Sequence, residues 1–229
     1  MKRFIIPYLC SLGVAFGALS LMSTPAHAEV QLQRESGGDF SVKVMTWWEI
    51  PFRSVIRQRY DFSCGSAAVA TLLTHHYGRP TPEMAPFKAM WAAGDRALIR
   101  KVGFSMYDMK NHLTTLGYKA EGFKLTVDEL AKVKRPVIVL IDLKGFKHFV
   151  VVKGMNNGRV LTGDSVLGLT QYSTEDFAKM WNGIVLAIVK TPDGNRGLYN
   201  LSNVWGPWSK APLEEGIDAL AVSAGDLTT

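Results

Sequence analysis

The apolar pattern of this chain changes character at Pro136. Before that residue, apolar positions fall in long stretches with helix punctuation; after it they come in strand-length runs separated by turn residues. Helices first and strands second cannot build alternating βα units. The expected fold class is therefore α+β, with N-terminal helices packed on an antiparallel sheet, rather than a doubly wound parallel one.

The punctuation supports individual elements. Cys64 to Tyr77 is rich in alanine and leucine and is stopped by Gly78 and Pro80, which predicts a helix. Thr81 as cap, with Pro82 at the first helical position, predicts a second. Ser105 caps a third that runs to about Leu116 and ends at Gly117, and Thr126-Val127-Asp128-Glu129 is a capping box ahead of a fourth. Beyond Pro136, Val137–Ile141, His148–Val152, Arg159–Thr162 and Ile184–Val189 read as strands, with Gly145 and Asn156-Asn157-Gly158 in the connections.

The two ends differ from this middle. Residues 1–28 carry Lys2 and Arg3, an apolar stretch from Phe4 to about Met22, and Ala26-His27-Ala28 as an A-x-A cleavage site, the parts of a secretory signal. The mature chain is expected to start at Glu29, outside the cytoplasm and in the periplasm, and no later run has the apolar length of a membrane span. Residues 29–50 read as an extension containing a loose strand from Phe40 to Trp48, 51–190 as the main domain, and 191–229 as a Gly-, Pro- and Asn-rich extension. Trp205 and Trp208 are expected to pack that last segment onto the domain. Loss of Lys2 and Arg3 takes the net charge from +6 to +4, with no block of like charges, so nothing points to nucleic acid.

Export makes cysteine usage informative. Of the two cysteines, Cys10 leaves with the signal and Cys64 stays, unpaired, at a helix start. In an oxidising compartment a lone thiol is either a reactive group or a small buried hydrophobe. A nucleophilic thiol needs a base in reach and a group to orient that base. His75, eleven residues further along the same helix, returns to nearly the same face but lies roughly 16 Å away at about 1.5 Å per residue. It cannot serve, and neither can His76. The adjacent pair is also a poor metal site, so neither metal nor other cofactor is expected. His112 sits among polar neighbours and reads as solvent-exposed.

His148 is different, because it opens a strongly apolar strand where an unsatisfied imidazole is costly. Sixteen residues later, after one hairpin, Asp164 stands at the end of the neighbouring strand. The order Cys64, His148, Asp164 fits a triad. A helix N-terminus and an imidazolium both favour thiolate. Gln58, six residues before Cys64, is placed to offer an oxyanion donor together with the Cys64 N–H. Gly65, Ser66, Ala67 and Ala68 are small enough to admit a substrate chain.

These residues resemble the C39 peptidases, papain-like cysteine proteases that cut leader peptides after a double glycine, from about Val55 to Val189. The resemblance rests on Gln58 ahead of Cys64-Gly65, on His148-Phe149-Val150-Val151, and on Gly163-Asp164 followed by Gly168. It implies a papain-like fold with Cys64 as nucleophile, His148 as general base, Asp164 as its orienting partner and Gln58 as oxyanion donor. Two positions depart from the family pattern: Ser63 stands where an acidic residue is common, and Ser165 where proline often follows the aspartate. With its own export signal and no transporter spans, the layout resembles the standalone exported C39-type proteins of bacterial functional amyloid (Fap) secretion systems.

The function so implied is an exported endopeptidase acting on a secreted polypeptide, such as an amyloid subunit or a component of its export machinery. Two other readings stay open on the residues alone. One is a non-catalytic module that holds an export substrate in the same cleft. The other is a peptidoglycan amidase, in which Cys, His and a polar third residue recur in this order.

Overall fold

The computed structural model describes residues 28–33 and 39–206. The predicted signal segment up to His27, and Trp208, lie outside the described residues. The chain divides into two units, Met1–Val44 and Met45–Thr229. In the first, β1 (Ala28–Gln33) pairs antiparallel with β2 (Asp39–Val44), Ala28 opposite Val44. Only the second of these strands was expected. The alternation of Val30 and Leu32 with Gln31 and Gln33 is the signal for the first.

The second unit is the α+β arrangement that the sequence implies. Six helices are described: α1 (Cys64–His76), α2 (Met84–Ala93), α3 (Arg96–Val102), α4 (Met106–Thr115), α5 (Val127–Val133) and α6 (Thr174–Met180). The strands β3 (Lys119–Lys124), β4 (Val137–Leu143), β5 (Phe146–Asn156), β6 (Arg159–Asp164), β7 (Gly168–Ser173) and β8 (Trp181–Lys190) form one sheet in the order β3-β8-β4-β5-β6-β7. Every pairing in it is antiparallel.

The expected capping box forms, Thr126 with Glu129 opening α5, and Ser105, expected as a cap, completes a box of its own with Asp108 at the start of α4. The second helix starts later than Thr81–Pro82 suggests. Thr81 is held instead by Thr74, whose Oγ1 accepts from the Thr81 N–H at 2.8 Å, and α2 begins at Met84. Helix α3, strands β3 and β7, and helix α6 add to the predicted set.

The central strands read as unbroken apolar runs because both sheet faces are covered. On one face α1 contributes Ala68, Val69, Leu72 and Leu73 to a core with Met90, Phe104, Met109, Leu113, Ile138, Val151 and Leu186. On the other, Leu130 and Phe177 pack with Val137, Val139, Ile141, Val150 and Val152. A third cluster, of Val55, Leu161, Leu169 and Val204 with partly buried Trp205, ties the start of the unit to residues 201–205. Trp205 thus packs as expected.

The β6–β7 hairpin is pinned by contact rather than by length alone. Gly168 has φ +84°, and a Cβ built there would lie 2.6 Å from both Cβ and O of Pro51 in the short 3-10 turn Ile50–Phe52. Left-handed backbone disfavours any side chain here, and the proline leaves no room for one. Gly168→Ala is expected to cost about 1–3 kcal/mol from backbone strain, and more from the clash. A urea midpoint lowered at unchanged slope is the check.

Candidate active site

Cys64 is the first residue of α1 and is buried, 8% exposed. Ser63 occupies the cap position but makes no side-chain cap. Its hydroxyl donates to Tyr60 O at 2.9 Å and accepts from the Tyr60 N–H at 3.1 Å. The first-turn N–H groups of α1 therefore keep their partial positive charge beside the sulfur. The small residues after Cys64 do not line a substrate path as expected. Gly65, Ser66, Ala67 and Ala68 are all buried, and a Cβ on Gly65 would stand 3.1 Å from Phe104 Cβ. Their size lets the helix sink into the core.

Strand register brings His148 to Asp164. Asp164 lies opposite Val150 in the β5–β6 ladder, and His148 is two residues from Val150, on the same face and diagonal to the carboxylate. The imidazole Nε2 stands 3.0 Å from Asp164 Oδ1, with both side chains 2% exposed. The carboxylate is fixed in turn, because Oδ1 accepts from the N–H groups of Val166 at 2.7 Å and Leu167 at 3.0 Å in the loop before Gly168. Phe146 stacks on the ring with centroids 5.9 Å apart.

With Nε2 committed to Asp164, Nδ1 is the nitrogen left over, enclosed and without a hydrogen-bond partner. Burial by itself pushes the imidazole pKa down. The hydrogen bonds and charges of Asp164 and Cys64 outweigh it and raise the pKa to about 9. For Asp164, burial works upward, and the hydrogen bond and charge of His148 with the two loop N–H groups carry the carboxyl below its ordinary value. The arrangement sets a buried imidazole of raised pKa against a carboxylate, with Cys64 close by. It can hold a proton at neutral pH and release it to a neighbouring atom.

Gln58, half-buried, bridges the two halves of this site. Its backbone N–H donates to Ser165 O at 3.2 Å, and its Oε1 accepts from Ser165 Oγ at 2.7 Å. Its Nε2 donates to Tyr60 O at 3.0 Å. Of the candidates from the sequence, Cys64, His148 and Asp164 come together and Gln58 lies between the chain entering Cys64 and the chain leaving Asp164. His75 and His76 sit at the opposite end of α1. His112 is half-buried rather than exposed, with Nε2 enclosed and its pKa lowered by burial and by Arg79. Among the described residues no three His, Cys, Asp or Glu side chains gather as a metal site.

Two features of the site escaped the sequence reading. Ser165 is one, since only the fold shows its hydroxyl on Gln58. The other is an aromatic wall next to Cys64, in which Phe62 stacks on Tyr60 at 5.8 Å and meets Phe87 and Trp91 at 6.0 Å each. The spacing of Phe87 and Trp91 on one helix face was its available signal.

The sequence profile of the peptidase C39 family matches residues 53–193. The chain is 40% identical over 153 residues to the probable functional amyloid protease FapD of Pseudomonas aeruginosa, covering 67% of this chain and 68% of that protein. It is 43% identical over 147 residues to the protein of the same name from Pseudomonas fluorescens, covering 64% and 65% of the two chains. Among solved structures, the peptidase domain of Streptococcus ComA, a bi-functional ABC transporter involved in a quorum sensing pathway, superposes with a TM-score of 0.50 at 22% identity, over 58% of this chain and 95% of that domain. That last likeness is one of fold.

The raised imidazole pKa sets a pH dependence. His148 gains its partners on folding, so its contribution to stability is full below the unfolded value near 6.5 and is lost as pH rises through about 9. NMR titration of the His148 ring is expected to give an apparent midpoint near 9. In Asp164→Asn the midpoint should fall toward the ordinary value, and an unchanged midpoint would mean that the carboxylate does not hold the proton.

Proposed function

Because the chain belongs to the peptidase C39 family, we propose that Cys64, His148 and Asp164 form its catalytic triad, with Gln58 as oxyanion donor. The observation that carries this reading is the buried imidazole held by the Asp164 carboxylate at 3.0 Å, with its other nitrogen enclosed and unpartnered and Cys64 near enough to raise its pKa.

In the proposed reaction the Cys64 sulfur, its proton held on His148, attacks the carbonyl carbon of a peptide bond, and the carbonyl π pair moves onto oxygen. The oxyanion is met by the Cys64 N–H and the Gln58 amide. His148 passes its proton to the departing nitrogen as the C–N bond breaks, which leaves a thioester on Cys64 and frees the amine product. Water then attacks the thioester as His148 takes its proton, and the C–S bond breaks to release the carboxylic acid product and return the sulfur to its starting state, with the proton again on His148. Asp164 keeps the imidazole in the required orientation throughout. The aromatic wall of Tyr60, Phe62, Phe87 and Trp91 offers apolar side chains of the substrate a surface next to the sulfur.

Further parts of the proposal concern place and substrate. Lys2, Arg3, the apolar stretch and Ala26-His27-Ala28 support export to the periplasm with cleavage before Glu29. The relatives named as functional amyloid proteases support a secreted polypeptide of an amyloid system as the substrate.

Incubating candidate amyloid subunits and export components with the purified protein tests the reaction. Wild type is expected to yield defined fragments by mass spectrometry, with Cys64→Ala at background. Asp164→Asn should lose up to about 10⁴-fold in kcat and Gln58→Ala about 10²–10³-fold. Equal cleavage by wild type and Cys64→Ala would end the proposal. A thiol that resists alkylation in the folded protein favours the binding-module reading, and release of soluble muropeptides from purified cell wall favours an amidase. For localisation, the periplasmic fraction should contain a chain whose intact mass starts at Glu29; a chain that keeps residues 1–28 in the membrane fraction refutes cleavage.

A further inference from the structure

A second polar cluster sits at the other end of α1. Cys64 and His76 are twelve residues apart, which is about 18 Å along the helix axis, so this cluster is separate from the thiol. Its centre is Lys153, 2% exposed. The β5–β6 register slips between Val152 and Gly154, and the unpaired residue of the slip is Lys153. Such a bulge re-aims a side chain out of the ladder. Here it carries the ammonium to Ser54 O at 2.9 Å and to His76 Nε2 at 2.8 Å. His76 is fixed as a neutral ring, because its Nδ1 donates to Leu198 O and its pKa is lowered to about 3 by burial and by Lys153. An ammonium has three protons, and these two contacts account for two.

The Lys153 amine borders a cavity of about 240 Å³ that Arg53, Ser54, His75, His76 and Asn203 also line. Arg53 is tied to the carbonyls of Ile50 and Val204, at 3.1 and 3.2 Å, which holds a fixed charge at the same cavity. Two polar atoms here, Ser54 Oγ and His75 Nε2, are enclosed without a partner. Among the described residues, none that line it is a carboxylate. Buried cations are ordinarily paired, and enclosed donors are ordinarily bonded. The described residues of this cavity supply two cations and two unbonded groups and no anion. Its volume exceeds the roughly 30 Å³ share of a single water several-fold.

We propose that the cavity binds a small inorganic oxyanion, phosphate or sulfate, between Lys153 and Arg53, with the Ser54 hydroxyl and the His75 ring nitrogen as further donors. A tetrahedral oxyanion supplies both the missing charge and several acceptors at once. The burial and the neighbouring Arg53 that hold Lys153 down to about 7 describe the same lack of a counter-charge. The site stands apart from the reading of Cys64 and does not depend on it.

Thermal unfolding of the mature protein is followed in phosphate, in sulfate and in acetate, each against chloride at matched ionic strength, with calorimetric titration of phosphate alongside. Phosphate and sulfate are expected to raise Tm saturably by several degrees. The rise should vanish in Lys153→Met, and phosphate affinity should drop at least tenfold in Arg53→Gln, which keeps the proposal testable if either variant fails to fold. Cys64 alkylation is expected to proceed at the wild-type rate in both. A Tm that does not respond, or responds equally in wild type and Lys153→Met, overturns the proposal. A response to acetate alone also overturns it, because the site is then one for carboxylates.

Discussion

The alignment of helix α1 with strand β5 is the constraint on which both polar sites depend. The Cys64 thiol meets His148 at one end, and His76 meets Lys153 at the other. Helix and strand therefore run in the same direction. Their lengths agree: twelve helical steps at about 1.5 Å give about 18 Å, and five strand steps at about 3.3 Å give about 17 Å. The helix is buried around its circumference from Cys64 to Leu73, which explains a run dominated by Gly, Ala and Ser where an amphipathic stripe would be usual. Close approach to Phe104 and Met109 at Gly65 is part of the same packing.

The two ends handle buried charge in opposite ways. At the His148 end the fold supplies its own anion, and Asp164 is itself held by two loop N–H groups. The imidazole is consequently raised to about 9 despite burial. At the Lys153 end no described carboxylate lines the cavity, and the same physics runs the other way, with the amine depressed to about 7. One buried cation is favoured by its surroundings and the other is disfavoured. Both sit on β5, five residues apart.

What was legible in the sequence follows from how local each signal is. Helices α4 and α5 were readable because a capping box is complete within a few residues. The pairing of β5 with β6 was readable because Asn157 and Gly158, at φ 48° and 72°, form a tight hairpin turn that fixes the register as far as Gly154; the one-residue slip at Lys153 that sets Asp164 opposite Val150, and so on the face of His148, has no local signal. Helix α3 was missed because it is short and buries only Ile99, so it lacks a periodic face. The start of α2 was misplaced because Thr81 bonds to Thr74, a partner in the preceding helix that local capping rules do not anticipate. The Tyr60–Phe62 pair and the Phe87–Trp91 pair meet each other only through tertiary packing.

The two serines that depart from the family pattern belong to one network in the fold. Ser63 closes on Tyr60 through both its donor and its acceptor, and Tyr60 O also accepts from Gln58 Nε2. Ser165 holds the other side of the same amide through Gln58 Oε1. The segment from Gln58 to Ser63 is thus braced from its own end and from the loop after Asp164. An acidic residue at position 63 would bring a charge to a position that is 0% exposed, and a proline at 165 would remove the hydroxyl that orients the amide. The serines keep that segment neutral and cross-linked, so that the placement of Gln58 is tied directly to the loop that also fixes Asp164.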